Sequence, residues 1–147
     1  MTAAPAWPAS EMATLTALAE TFVPGGGAGR AARAAEALGA GVSPAQVRQL
    51  RLVLRLMDSR LANVLLARHA VRFRDLPAAR RESYLLDWAG SPIPQRRSAF
   101  HAWRKMLTLL AYARGTDDAP ARLEAIGYRP DEPPVTTAPT ITAWALP

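Results

Sequence analysis

Prolines and glycines divide residues 10–127 into stretches of helical length, and this punctuation constrains the fold more than any other feature of the sequence. Within the stretches, leucine, alanine, methionine and aromatic residues recur three and four positions apart, so they share one face of an α-helix. β-Branched residues are scarce, and no stretch alternates between apolar and polar residues as a strand would. The sequence therefore predicts an all-α fold, a single compact bundle of about six to seven helices with an extended Pro-rich C-terminal arm.

Start and stop signals give the predicted bounds of the helices. Ser10 is the predicted N-cap of the first helix, and Pro24 with the glycines after it ends that helix. Ser43 followed by Pro44 at the first helical position is a strong start signal. The predicted helices span residues 10–22, 29–38, 44–58 and 59–68, then the stretch that Asp75 and Pro77 open and Gly90 closes, then residues 94–113 and 118–126.

Composition divides the chain into three regions. Residues 1–9 are predicted to be an N-terminal extended segment, residues 10–127 the helical domain, and residues 128–147 an extended arm whose prolines forbid a helix. The arm carries large apolar residues that are poor choices for a solvated linker, so it is predicted to lie on another surface.

Two tryptophans, Trp7 and Trp144, lie in proline-flanked terminal segments. Anchors buried in a partner are the favoured explanation, and folding back onto this domain's own surface is the alternative. The 44–58 helix is a third candidate contact region. Leu52 and Leu56 lie outside its main apolar face, so the helix is either central in the fold or touches something else. The predicted partner interface consists of Trp7, Leu52, Leu56, Tyr128, Val135, Ile141, Trp144 and Leu146.

The stretch Gly27-x-Gly29-x-x-Ala32 fits the glycine pattern of a dinucleotide-binding loop. Such a loop needs a strand before it and an acidic residue about 20 residues after it. Here a predicted helix precedes the glycines, and no acidic residue lies between Glu36 and Asp58. The glycine-rich stretch at 24–32 is therefore predicted to form a hinge between two helices.

The side chains available for chemistry are few. The chain has no cysteine, which excludes disulfides, thiolate metal ligands and cysteine nucleophiles. His69 lies beside Arg68 and Arg72, which makes it an unlikely metal ligand, and His101 has no carboxylate at a triad spacing. Both are predicted to be structural or surface residues. We therefore expect no catalytic, cofactor-binding or metal-binding residue in this chain, and leave open whether it belongs to an enzyme as a subunit.

The formal net charge is +6, and Lys105 is the only lysine. Arg48, Arg51 and Arg55 share one side of the 44–58 helix, with Arg60 beyond them. This stripe is either a solvated face that pairs with nearby carboxylates, a site for an acidic protein, or a phosphate-binding face. A helical DNA-binding or regulatory protein is accordingly the alternative function.

The sequence shows no secretory signal and no apolar run of the roughly 18–20 residues that span a membrane. We therefore expect a cytoplasmic protein without a membrane or nucleic-acid partner. Export together with a signal-bearing partner is left open.

Several phrases, in this order, resemble a known family. They are L-A-E-T-F-V-P-G-G at 18–26, S-R-L-A-N-V-L-L at 59–66, F-R-D-L-P-A-A-R-R-E-S-Y-L-L-D-W-A-G-S at 73–91 and E-A-I-G-Y-R-P-D-E-P-P at 124–134. The chain resembles the small helical subunit of flavin-dependent dehydrogenases, of the gluconate 2-dehydrogenase subunit 3 type. It is also similar to the helical N-terminal region of long-chain alcohol oxidases. The residues that carry the likeness are Phe22, Pro24, Phe73, Leu76, Arg81, Trp88, Arg97, Phe100 and Tyr112.

The resemblance implies that catalysis and FAD belong to a large partner of the glucose–methanol–choline oxidoreductase type. That partner would oxidise an alcohol, sugar or glycoside hydroxyl with a histidine base. The small chain would be a non-catalytic accessory subunit that supports the folding, flavin loading or stability of the large one. The sequence ends at Pro147, where the fused relatives continue into the flavin domain, so a separately encoded subunit is expected.

Overall fold

The computed structural model describes residues 7–67, 70–113 and 119–127. Within these ranges the chain forms seven α-helices and one 3₁₀ turn, and it contains no strand, so the predicted all-α fold is confirmed. The arm at 128–147 lies outside the described residues. The helices are α1 (Ala9–Phe22), α2 (Gly27–Gly41), α3 (Pro44–Asp58), α4 (Arg60–Ala67), α5 (Ala78–Ala89), α6 (Pro94–Tyr112) and α7 (Ala119–Ala125), with the 3₁₀ turn at Phe73–Asp75.

Helix α1 is the central element of the fold. It contacts α2, α3, α5, α6 and the 3₁₀ turn. Its side chains are buried around more than half of the helix circumference, and several of them are small, which lets the surrounding helices approach closely. The buried residues of α1 are Glu11, Thr14, Leu15, Ala17, Leu18 and Ala19.

The second helix is longer than its sequence predicts. We expected residues 29–38, but α2 runs from Gly27 to Gly41 and contains glycines near both ends. The chain reverses instead at Gly25 and Gly26, whose φ angles are 82° and 70°. Burial of Ala31, Ala34 and Leu38 outweighs the low helix propensity of the glycines, because tertiary packing overrides propensity.

Of the two serines predicted to cap helices, one does so and the other does not. Ser43 caps α3 as predicted, since its hydroxyl accepts a hydrogen bond from the backbone N–H of Gln46 at 3.3 Å. Ser10 is not a cap. Helix α1 begins at Ala9, and the N–H of Met12 donates to the carbonyl of Pro8 at 3.0 Å. The predicted cap is therefore wrong, and Ser10 lies within the first turn.

The segment between α4 and α5 also differs in detail from the sequence-based expectation. Asp75 ends the 3₁₀ turn and does not open α5, which begins after Pro77. Phe73, the first residue of that turn, is fully buried, so the turn is fixed to the core from its start. The end of α5 before Gly90 and the start of α6 at Pro94 are as predicted.

Candidate functional site

Asn63 fixes the position of the short helix α4. Its side chain is buried, and its amide nitrogen donates to the carbonyls of Met57 and Val71, each at 2.9 Å. Its amide oxygen accepts a 2.8 Å hydrogen bond from the hydroxyl of Tyr84. One side chain thus joins α4 to the end of α3, to the segment after α4 and to α5.

The opposite side of α4 is apolar and faces solvent. Leu61 and Leu65, one helical turn apart, are 71% and 75% exposed, and Val64 beside them is also exposed. Helix α4 packs mainly against α3. Its fixed position therefore presents three apolar side chains to solvent.

Helix α3 also carries exposed apolar side chains. Leu54 and Met57 are buried in the core, whereas Leu52 and Leu56 lie on the other side of the helix and are exposed. Only Ser59 separates α3 from α4. We call the five exposed residues of the two helices, Leu52, Leu56, Leu61, Val64 and Leu65, the α3–α4 surface.

Arginines border the α3–α4 surface. Arg48 and Arg55 lie four residues before and three residues after Leu52, the spacings at which side chains are neighbours on a helix. Both are exposed, and so is Arg60 at the start of α4. The one carboxylate within α3 and α4 is Asp58, which pairs with Arg74 at 3.0 Å. The border of the surface is therefore basic.

Glu11 holds part of the arginine stripe in place. Its carboxylate is buried and accepts hydrogen bonds from the Nε atoms of Arg51 and Arg55, at 2.6 and 2.7 Å. Burial on its own would raise the pKa of Glu11, but the two guanidinium groups outweigh it and lower the pKa below its ordinary value. One carboxylate for two guanidinium groups leaves a net charge of about +1 here. Two of the three stripe arginines thus pair with a carboxylate, as the solvated-face interpretation predicts.

The glycine-rich turn follows a helix, and two of its backbone N–H groups already have an acceptor. The carboxylate of Glu20, in α1, accepts from the N–H of Gly25 at 2.6 Å and from the N–H of Gly27 at 2.9 Å. From the other side of the turn, the buried Arg30 donates to the carbonyls of Ala19 and Val23. Two N–H groups that could face a phosphate in a dinucleotide loop therefore bind this chain's own carboxylate. The hinge is confined to Gly25 and Gly26, because the later glycines of the stretch, Gly27 and Gly29, lie within α2.

The residues that carry the family resemblance mostly pack helices together. Phe22 contacts Phe100 with ring centroids 5.5 Å apart, and Phe73 contacts Tyr84 at 5.3 Å. Arg81 donates to the carbonyl of Ala17 at 3.3 Å. The remaining members take similar roles or lie nearer the surface: Trp88 is buried, Arg97 donates to the carbonyl of Ser91 at 2.6 Å, Leu76 and Tyr112 are partly buried, and Pro24 is exposed.

The predicted interface residues have three different outcomes. Leu52 and Leu56 are exposed, as a partner contact requires. Trp7 packs against the core of its own domain, with the guanidinium of Arg51 5.3 Å from its ring centre, so the alternative considered for it is what the structure shows. The other predicted members, Tyr128, Val135, Ile141, Trp144 and Leu146, lie outside the described residues.

Sequence reasoning missed the α4 part of the surface. The spacing of Leu61, Val64 and Leu65 is the same whether a helix face packs on a core or on a partner. The one signal in the sequence was Asn63, which lies opposite the apolar face of this short helix. A polar side chain there suggests that hydrogen bonds attach that side of the helix to the protein.

Neither a metal site nor a membrane-spanning helix is found in the described part of the chain. No three histidine or acidic side chains there are grouped closely enough to hold a metal ion. His101 is exposed beside the ring of Phe100, and His69 lies outside the described residues. No described helix combines the length and apolar content that crossing a bilayer requires.

Comparisons with protein-family models, with curated proteins and with solved structures found no match to this chain.

Proposed function

We propose that this chain is a non-catalytic accessory subunit of an FAD-dependent oxidoreductase. Its partner would be a large flavoprotein of the glucose–methanol–choline type that oxidises an alcohol, sugar or glycoside hydroxyl. The flavin and the catalytic histidine would belong to that partner. The single observation that carries the binding role is the α3–α4 surface, and the identity of the partner rests on the family resemblance.

The α3–α4 surface gathers five exposed apolar residues on two helices that follow one another in the chain. Single exposed apolar residues are normal on proteins, and it is their concentration on α3 and α4 that supports a binding role. Covering a side chain that is about half exposed contributes about 1 kcal/mol, since full burial contributes about 1.5–3 kcal/mol.

Five such side chains together reach only the lower end of the cost of association, which is about 4–15 kcal/mol. The α3–α4 surface on its own would therefore give weak binding. A stable complex needs a second contact, and we assign it to the 128–147 arm, whose Ile141, Trp144 and Leu146 are suited to burial against the large subunit.

The structural roles of the family-signature residues support this proposal indirectly. Arg81, Phe100 and Trp88 tie α5 and α6 to the central helix or to each other. A likeness made of such residues speaks for a shared helical scaffold. The α3–α4 surface is the part of this scaffold that we propose binds the partner.

Co-expression tests the proposal. The tagged chain is produced together with a flavoprotein of the glucose–methanol–choline type from the same organism, and the purified material is examined for the large subunit and for the flavin absorbance band. We expect the two chains to co-purify, and the large subunit produced without the small chain to be less soluble or to contain less FAD. A stable small chain that never co-purifies with a flavoprotein would contradict the proposal.

A further inference from the structure

We infer that the α3–α4 surface docks an apolar surface of the partner protein that is bordered by carboxylates. This inference rests on the proposed function and adds the chemistry of the partner's contact surface. The apolar centre of the contact is formed by Leu52, Leu56, Leu61, Val64 and Leu65. The arginines beside it favour a partner with carboxylates around its own apolar surface.

The positions of the arginines carry the argument for an acidic border. Arg48 and Arg55 flank Leu52 on α3, and Arg60 precedes Val64 by one turn on α4. Each exposed arginine therefore lies beside an apolar side chain that the partner would cover. A partner carboxylate placed there would form a charge-assisted hydrogen bond at the edge of a desolvated contact.

Arg55 is partly preorganised for such a contact. Its Nε is bonded to the buried carboxylate of Glu11 at 2.7 Å, while the side chain remains 60% exposed. Because Arg51 shares the same carboxylate, the group keeps a net positive charge. Binding therefore restricts the Arg55 side chain less than it would restrict a free arginine.

A second copy of this chain fits the surface poorly. Pairing two identical surfaces about a two-fold axis would bring two basic borders, each with Arg48, Arg55 and Arg60, into one contact. These helices offer no carboxylate for them, since Asp58 is already paired with Arg74. Like charges at a contact disfavour the dimer, so a different, acidic partner is the better occupant.

The test measures binding of the full chain to the purified flavoprotein partner. Leu61→Ser combined with Leu65→Ser removes the most exposed part of the apolar centre. The matched control combines Leu86→Ser and Leu109→Ser, because these leucines are 61% and 62% exposed on α5 and α6. We expect the first variant to weaken binding by at least about tenfold and the control to bind within about twofold of the parent chain. Unchanged circular dichroism and Tm in both variants show that the fold is retained.

A second variant tests the charged border. Arg48→Glu combined with Arg60→Glu should weaken binding by about tenfold at low salt and slow association. The difference from the parent chain should shrink to about twofold near 0.5 M salt, where exposed charges are screened. Arg80→Glu combined with Arg104→Glu is the charge-matched control, because both arginines are exposed on α5 and α6.

The outcomes separate this inference from the proposed function. If the parent chain forms no complex with the flavoprotein, both are overturned. If the complex forms and the Leu61/Leu65 variant binds as tightly as the parent chain, this inference alone fails. It also fails if the parent chain is a homodimer that the same two substitutions convert to a monomer, because the surface would then be covered by a second copy.

Discussion

The carboxylate of Glu11, in the first turn of α1, accepts a 2.6 Å hydrogen bond from Nε of Arg51, in the middle of α3. Arg55 binds the other carboxylate oxygen at 2.7 Å. This contact joins the central helix to the helix that carries part of the candidate docking surface. The buried carboxylate therefore helps to hold α3 with Leu52 and Leu56 toward solvent, together with the burial of Leu54 and Met57.

Removing that carboxylate should destabilise the chain. Glu11→Ala leaves two guanidinium groups facing a buried site, although both can partly reach water, so we expect a loss of about 2 kcal/mol in the free energy of unfolding. Urea denaturation measures it. Glu36→Ala is a suitable control because Glu36 is exposed on α2, and a loss of similar size there would contradict the assignment.

The same contact predicts an acid dependence of stability. The folded pKa of Glu11 is lowered, so its contribution is complete above the unfolded value of about 4.3 and is lost as the pH falls through the folded pKa. Unfolding measured between about pH 7 and pH 3 should therefore show a smaller total loss of stability in Glu11→Gln than in the parent chain. Parallel curves for the two proteins would show that other carboxylates are responsible.

Two glycines of α2 should respond to alanine in opposite directions. A Cβ atom at Gly27 would lie 2.6 Å from the Glu20 carboxylate and 3.0 Å from the carbonyl of Thr16, whereas a Cβ at Gly29 meets nothing within 4 Å. We expect Gly27→Ala to destabilise by about 1–3 kcal/mol and Gly29→Ala to stabilise by about 0.5–1 kcal/mol. Thermal unfolding of both variants checks the pair, and equal shifts in Tm would contradict the close approach of α1 and α2 at Gly27.

Asn63 should tolerate even an isosteric change poorly. Asn63→Asp replaces a group that donates to two carbonyls with a carboxylate that repels them. We expect the free energy of unfolding to fall by at least about 3 kcal/mol at neutral pH. The buried carboxylate would keep the Tyr84 donor for one oxygen, while its other oxygen would face two carbonyls. The loss should be smaller near pH 4, where the new carboxyl can be protonated. A loss that does not vary with pH would count against this explanation.

Tyr84 predicts a second, alkaline dependence. Burial raises its pKa to about 12, so its contribution is complete below the unfolded value of about 10 and disappears as the pH rises through the folded value. Tyr84→Phe should cost about 1 kcal/mol at neutral pH, since Asn63 loses the 2.8 Å donor, and should flatten the decline in stability above about pH 10. Stopped-flow unfolding at alkaline pH gives the comparison, and Tyr112→Phe serves as control.

The sequence allowed the class of the fold to be predicted well because its helices are separated by unambiguous signals. Ser43 and Pro44 are a local device whose geometry depends on a few neighbouring atoms, and the cap forms as expected. The predicted end of the second helix at residue 38 is wrong because the effect of Gly39 and Gly41, which follow it, is not local. Both lie inside α2, where the packing of Leu38 against the core compensates for their low propensity.

The candidate site was only partly predictable for a related reason. Leu52 and Leu56 lie off the main apolar face of their own helix, so the sequence alone showed that they were unusual. Leu61 and Leu65 lie on the main apolar face of α4, and the hydrogen bonds of Asn63 hold the opposite side of the helix against the protein. The position of Trp7 was not predictable from the sequence either, because its ring contacts Arg51, which is distant along the chain.

The reciprocal contacts at the α1–α2 turn bear on how the chain folds. Glu20 reaches Gly25 and Gly27, five and seven residues later, and Arg30 reaches back eleven residues to Ala19. The link between Glu11 and Arg51 spans 40 residues. Closing short loops costs less entropy, so we expect the α1–α2 hairpin to form in the folding transition state before α3 docks. Arg30→Met should then slow refolding, whereas Glu11→Ala should mainly accelerate unfolding. The rest of the bundle would thus pack onto a hairpin that has already formed.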